Sequence, residues 1–232
     1  MSEDFILPYS GREKLEAELR LGFIRKVFGI ITVQLAITTI IVMSVYLSPA
    51  FLMFLNENSW LIYMFLTFYL VTLILILCCK SIAREVPGNY ICLLICTVSL
   101  SFITGIITSQ YDPYSVLTAV IITLIVTISL TIYAVFTKTD FTVCSSFLCI
   151  LFTATLIVII LILCSSNNSS LYYFYCWICV IIYGLYLVMD IQLIAGGRRH
   201  KLCHEDYIVG AIIVYIDIIM LFLKILELFK SK

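Results

Sequence analysis

Two carboxylates stand inside apolar, membrane-length stretches near the C-terminus: Asp190 in LYLVMDIQLIA and Asp217 in IIVYIDIIMLF. A charged side chain at the centre of a spanning helix costs about 2.5–3.5 kcal/mol on insertion scales, so an acid in such a place marks a functional site. Two carboxylates at contact distance cannot both ionise cheaply; one keeps a proton and the pair shares it. With the proton, the pair holds two helices together. Without it, like charges push them apart, which is a pH-biased element able to gate a pore. Deprotonated, the oxygens are hard ligands suited to Ca²⁺. No EF-hand loop occurs, so cation binding would be weak and tied to permeation.

Helical spacing adds neighbours to each acid. Residues seven apart share a face, which groups Asp206, Gly210, Asp217 and Lys224. A stripe with three ionisable groups should face a bundle interior, so the last span is central or lines a cavity. Tyr183, Tyr186 and Asp190 share a face by the same rule, and the tyrosines could donate hydrogen bonds to the carboxyl group. Glu205 and Asp206 stand where the last span begins. They would either attract cations to a mouth or serve as ordinary helix N-terminal acids. Lys224 can pair with Glu227 three residues on, or snorkel to the membrane edge. Lys224 in a last span also invites a retinal Schiff base, but the third span has no carboxylate. His200 and His204 flank Cys203 in a polar loop without the glutamate-centred zinc helix motif. Most of the ten cysteines lie in apolar segments as small packers, including Cys176-x-x-Cys179. No nucleotide fingerprint or hydrolase elbow appears, and the expectation is no enzyme and no cofactor.

The elements that must position these residues are membrane helices. The chain has 232 residues, 63% hydrophobic and 12% charged, against about 45–50% and about 25% in soluble domains. Net charge is zero and no long basic stripe occurs, which argues against nucleic acid. Apolar runs of about 20 residues read as spans: Val27–Leu47, Trp60–Cys79, Tyr90–Thr108, Ser115–Phe136, Phe141–Cys164, Leu171–Ala195 and Tyr207–Phe229. The reading is an all-α membrane protein, a seven-transmembrane-helix bundle over residues 27–232. Residues 1–26 form a cytoplasmic amphipathic segment. Lys and Arg crowd the N-terminus and the loops after spans two, four and six, which places these in the cytoplasm. Seven spans then leave Lys230 and Lys232 outside, unless the last segment is re-entrant; its length favours a full span. Asn167 and Asn168 fit N-x-S/T on the opposite side.

Four motifs carry a family resemblance. They are Phe23-Ile24-Arg25-Lys26-Val27-Phe28-Gly29 through Gln34-Leu35; Cys78-Cys79-Lys80 through Arg84-Glu85-Val86-Pro87-Gly88-Asn89-Tyr90; Phe136-Thr137-Lys138-Thr139-Asp140-Phe141-Thr142; and Leu187-Val188-Met189-Asp190 with Glu205-Asp206-Tyr207 and Tyr215-Ile216-Asp217 through Phe222. With these the chain resembles the transmembrane BAX-inhibitor-motif proteins, in their Lifeguard and Golgi anti-apoptotic branch. The resemblance implies a seven-helix bundle with the C-terminal helix at its centre. It implies a di-aspartyl pH sensor at Asp190 and Asp217, a calcium leak from Golgi or endoplasmic reticulum stores, and restraint of apoptosis. It supplies the pairing of the two aspartates, which spacing alone does not. It also implies a basic residue near the end of span two that engages the sensor; Arg84 is the candidate and Lys80 the alternative. Glu205 matches an acidic position linked to permeation. Met220 stands where the branch often has Asn, and Lys224 is unusual, in reach of Asp217 two turns away.

The expected function is a pH-sensitive calcium leak channel, with lipid and Ca²⁺ as partners. The competing reading is a non-conducting membrane protein that binds cell-death regulators or calcium-release channels through its loops.

Overall fold

The computed structural model describes residues 9–144, 150, 153–155, 157, 169–196 and 200–229. Among them the regular structure is helical, with no strand. The expected fifth span and Asn167 and Asn168 lie mostly or wholly outside the described residues. Among the described residues six helices are long and apolar enough to cross a membrane: Lys14–Leu47, Trp60–Cys78, Gly88–Thr108, Pro113–Phe136, Tyr172–Ala195 and Tyr207–Leu228. The protein is a multi-pass membrane protein.

Helix α1, Tyr9–Leu47, runs without a break from the amphipathic segment into the first span. Its buried side is Phe23, Val27, Ile31, Gln34, Thr38 and Val45, a stripe at helical spacing. Ser48 stops it and caps α2, Pro49–Glu57: the Ser48 hydroxyl accepts from the Phe51 amide at 3.4 Å, with Pro49 at the first helical position. Helix α3 is Trp60–Cys78 and α4 the short Lys80–Arg84. Helix α5, Gly88–Thr108, buries a polar face of Thr97, Ser101, Thr104 and Thr108. Hydroxyls there bond back to their own helix, as Thr97 to Leu93 O at 2.8 Å and Ser101 to Thr97 O at 2.6 Å. This back-bonding lets a polar face pack without water. Gln34 Nε2 donates to Thr97 Oγ1 at 2.9 Å. Thr38 joins Ser101 at 2.9 Å and the Tyr215 hydroxyl at 2.8 Å. A buried polar seam thus ties α1, α5 and the last helix.

Helix α6, Pro113–Phe136, starts at Asp112, whose carboxylate accepts from the Ser115 amide at 2.9 Å and hydroxyl at 2.8 Å. Those bonds hold the Asp112 carboxyl below its ordinary value. Leu117, Ile121, Leu124, Ile125, Ile128 and Ile132 are exposed along one side of α6; an apolar face of this extent requires lipid. A 3₁₀ turn, Phe141–Cys144, follows. Helix α7 is Ser169–Ala195 and α8 is Tyr207–Leu228. Of the six spans, α8 is buried over the largest share of its length, and it packs against α1, α3, α4, α5, α6 and α7.

Gly196 closes α7 at φ 75°, a left-handed conformation that favours glycine. Beside it, Arg20 of α1 donates to Leu202 O at 2.7 Å and Leu193 O at 2.6 Å. A Cβ at 196 would stand 2.7 Å from Arg20 Nε. Gly196→Ala is therefore expected to lower thermal stability by about 1–2 kcal/mol from backbone strain alone, with a further loss if the Arg20 bonds break. Thermal unfolding in detergent measures this, and an unchanged midpoint would show that the junction relaxes freely.

Candidate functional site: a buried carboxyl pair between the last two helices

Asp190 lies five residues before the end of α7, and Asp217 ten residues into α8. Each is 8% exposed. Leu187, Val188, Ile191, Val214 and Ile219 are buried around them. The antiparallel approach of the two helices brings the carboxyl groups into a side-chain hydrogen bond with each other. Two carboxyl groups form such a bond only if one carries a proton, so this is a contact that a shared proton would hold. The Oδ2 of Asp217 is buried and has no hydrogen-bond partner among the described residues. Tyr183, on the expected face of α7, stands in electrostatic range of Asp217.

The pair offers few ligands. Among the described residues no group of three or more His, Cys, Asp or Glu converges on a point. A resident Ca²⁺ takes about 6–8 oxygens, so Asp190 and Asp217 alone suit a passing ion better than a bound one. His200, Cys203 and His204 likewise form no metal cluster; His204 packs edge-on against Phe23 at 5.9 Å.

Arg84 is not at the aspartate pair. It donates through Nε and Nη2 to Asp206 at 2.8 and 3.1 Å, and its Nη1 lies 3.0 Å from Glu205. The bonds to Asp206 come first in holding this guanidinium above its ordinary value, so it stays charged. Helix α4 delivers Arg84 to the start of α8, and a bidentate fork on a carboxylate is its favoured geometry. Asp206 consequently makes no capping bond to its own helix. Both acids at the start of α8 are engaged by a cation of the protein. Lys80, the alternative, is exposed.

Lys224 does not reach Asp217 either. Its ammonium bonds both oxygens of Glu227 at 3.0 and 2.8 Å and lies 5.0 Å from the Tyr175 ring. Cys176 Sγ donates to Glu227 at 3.4 Å, and Tyr172 bonds the same carboxylate. The side chains of Lys224 and Glu227 are 16% and 19% exposed. The expected Lys224–Glu227 pairing is formed, as a mostly enclosed ion pair near the C-terminal end of α8. Cys176 and Cys179 are buried free thiols.

The comparisons with known proteins bear on the whole of this arrangement. Residues 20–232 match the family described as "Inhibitor of apoptosis-promoting Bax1". The chain belongs to this Bax-inhibitor family. Human Protein lifeguard 3 is 37% identical over 94% of this chain and 71% of its own length. The mouse Protein lifeguard 3 gives the same figures, and an Arabidopsis thaliana BI1-like protein is 31% identical over 96% and 86%. The matched region spans both aspartates, Arg84 and the Glu205–Asp206 pair.

Sequence reasoning missed Gln192. Its side chain, 1% exposed, accepts from the Phe141 amide at 2.9 Å and donates to Thr139 O at 2.9 Å and Ala134 O at 3.4 Å. It satisfies the unwound chain after α6, two residues from Asp190. The available signal was an amide in the last turns of an apolar span, where an unpaired polar group is costly.

Proposed function

We propose that this chain is a pH-sensitive calcium leak channel of an intracellular membrane, Golgi or endoplasmic reticulum, which lowers store calcium and restrains apoptosis. The observation that carries this reading is the buried, mutually hydrogen-bonded carboxyl pair of Asp190 and Asp217. In the proposed architecture α8 is the central member of a seven-helix bundle, surrounded by the six other spans, with the fifth span outside the described residues. The family description and the lifeguard relatives support the role in cell death. The pair supports the gate: a shared proton closes the α7–α8 contact, and its loss leaves two like charges that separate the helices. The freed oxygens then face a passing Ca²⁺ as hard ligands. At the cytoplasmic mouth, Arg84 on Asp206 and Glu205 forms a second closure, whose release exposes two acids to cations.

Purified full chain in Ca²⁺-loaded liposomes tests this. Efflux above that of protein-free liposomes, rising with pH, is expected. Efflux equal to empty liposomes at every pH would replace the channel with a non-conducting protein that binds cell-death regulators or calcium-release channels.

A further inference from the structure

A groove of about 430 Å³ opens between α1 and α5, within the roughly 300–1,000 Å³ range of ligand sites. Its rim carries Arg25, Lys26 and Tyr90, and its length is lined by Gly29, Val33 and Leu94. Arg25 is exposed, and among the described residues it makes no ion pair. The Lys26 ammonium sits over the Tyr207 ring at 3.2 Å, which holds it at the rim. Gly29 keeps the floor open, since a Cβ there meets no atom within 4 Å. The lining runs from Lys26 to Ile37. The eleven residue steps of helix between them rise about 16 Å, or half of a hydrocarbon core about 30 Å thick. The groove therefore has the length of one leaflet, with two cations at its interfacial end and apolar walls toward the midplane.

We infer that the α1–α5 groove is a binding site for one anionic phospholipid of the surrounding leaflet. The headgroup phosphate lies on Arg25 and Lys26, and an acyl chain follows Gly29, Val33 and Leu94. Basic pockets between spanning helices on the cytoplasmic side select anionic headgroups in this way. A zwitterionic lipid offers the same phosphate but cancels its charge, so the rim favours the anionic class. The site shares Lys26 with Tyr207 at the start of α8, so its occupant adjoins the helix that bears Asp217.

Native mass spectrometry of the full chain, with phosphatidylserine and phosphatidylcholine at equal concentrations, tests the site. The expected result is retention of phosphatidylserine over phosphatidylcholine by about thirtyfold, the preference two basic contacts support at about 1 kcal/mol each. Arg25→Gln should lower the ratio to about fivefold, the share of Lys26 alone, while Arg25→Lys keeps the full preference. Gly29→Leu fills the floor and should reduce retention of both lipids. Thermal unfolding of each variant confirms an intact bundle. Equal retention of the two lipids by the unaltered chain overturns the proposal. So does unaltered selectivity and retention in both Arg25→Gln and Gly29→Leu. Competition by soluble glycerophosphoserine as effective as by the whole lipid overturns the acyl seat and leaves a free-phosphate site instead.

Discussion

The double variant Asp190→Asn/Asp217→Asn is expected to flatten the pH response of calcium efflux. In the proposed gate one shared proton decides the contact of the unaltered pair. Efflux should be low while the proton is held and rise with pH as it leaves, by at most about tenfold per unit for a single proton. The double variant has no proton to lose there, so its efflux at pH 6 and pH 8 should agree within about twofold. The single variants discriminate further. An asparagine amide donates to the remaining carboxylate and keeps that hydrogen bond at every pH. Asp217→Asn and Asp190→Asn should therefore each stay in the low-flux state across the range. A pH profile parallel to that of the unaltered chain in both single variants would remove the pair from gating, while leaving a leak intact.

The second large effect lies at the opposite end of α8. Removing the cation from an enclosed ion pair leaves an uncompensated charge and costs about 3–5 kcal/mol. Lys224 and Glu227 keep some solvent contact, at 16% and 19% exposure, so the lower end of that range applies. Lys224→Met should destabilise the bundle by about 3 kcal/mol. The double change Lys224→Met/Glu227→Gln removes both charges and should recover most of the loss, because Tyr172 and Cys176 still have an amide to bond. Thermal unfolding of the four proteins gives the coupling directly. If the double variant is as unstable as Lys224→Met, the cluster acts through packing and not through charge.

The contrast between these two ends shows what the sequence could tell. Asp190 and Asp217 were legible because a carboxylate in an apolar span has few causes. Their helices were legible because the apolar runs have membrane length: the expected Tyr207–Phe229 and Leu171–Ala195 became Tyr207–Leu228 and Ser169–Ala195. Their contact was not legible from spacing, since the angle between two helices depends on everything packed around them. Lys224 shares an azimuth with Asp217, but seven residues of helix separate them by about 10 Å along the axis. Glu227, three residues away, wins by proximity. Arg84 depended on the path of a short connection. The α4 turn carries it to the Glu205–Asp206 mouth and not to the membrane interior. Likewise, apolar counting starts the first span at Val27, whereas the backbone is helical from Tyr9, because an amphipathic segment and an apolar one have the same hydrogen-bonding period.

That unbroken helix has a mechanical meaning. At about 1.5 Å per residue, α1 is a rod of roughly 58 Å, about twice the thickness of the hydrocarbon it crosses. Its Arg20 grips the carbonyls of Leu193 and Leu202, the very chain that joins the two aspartate helices. The arm of α1 ahead of the membrane is thereby clamped to the connection between the two aspartate helices, a direct tether between the N-terminal segment and the chain that carries the carboxyl pair.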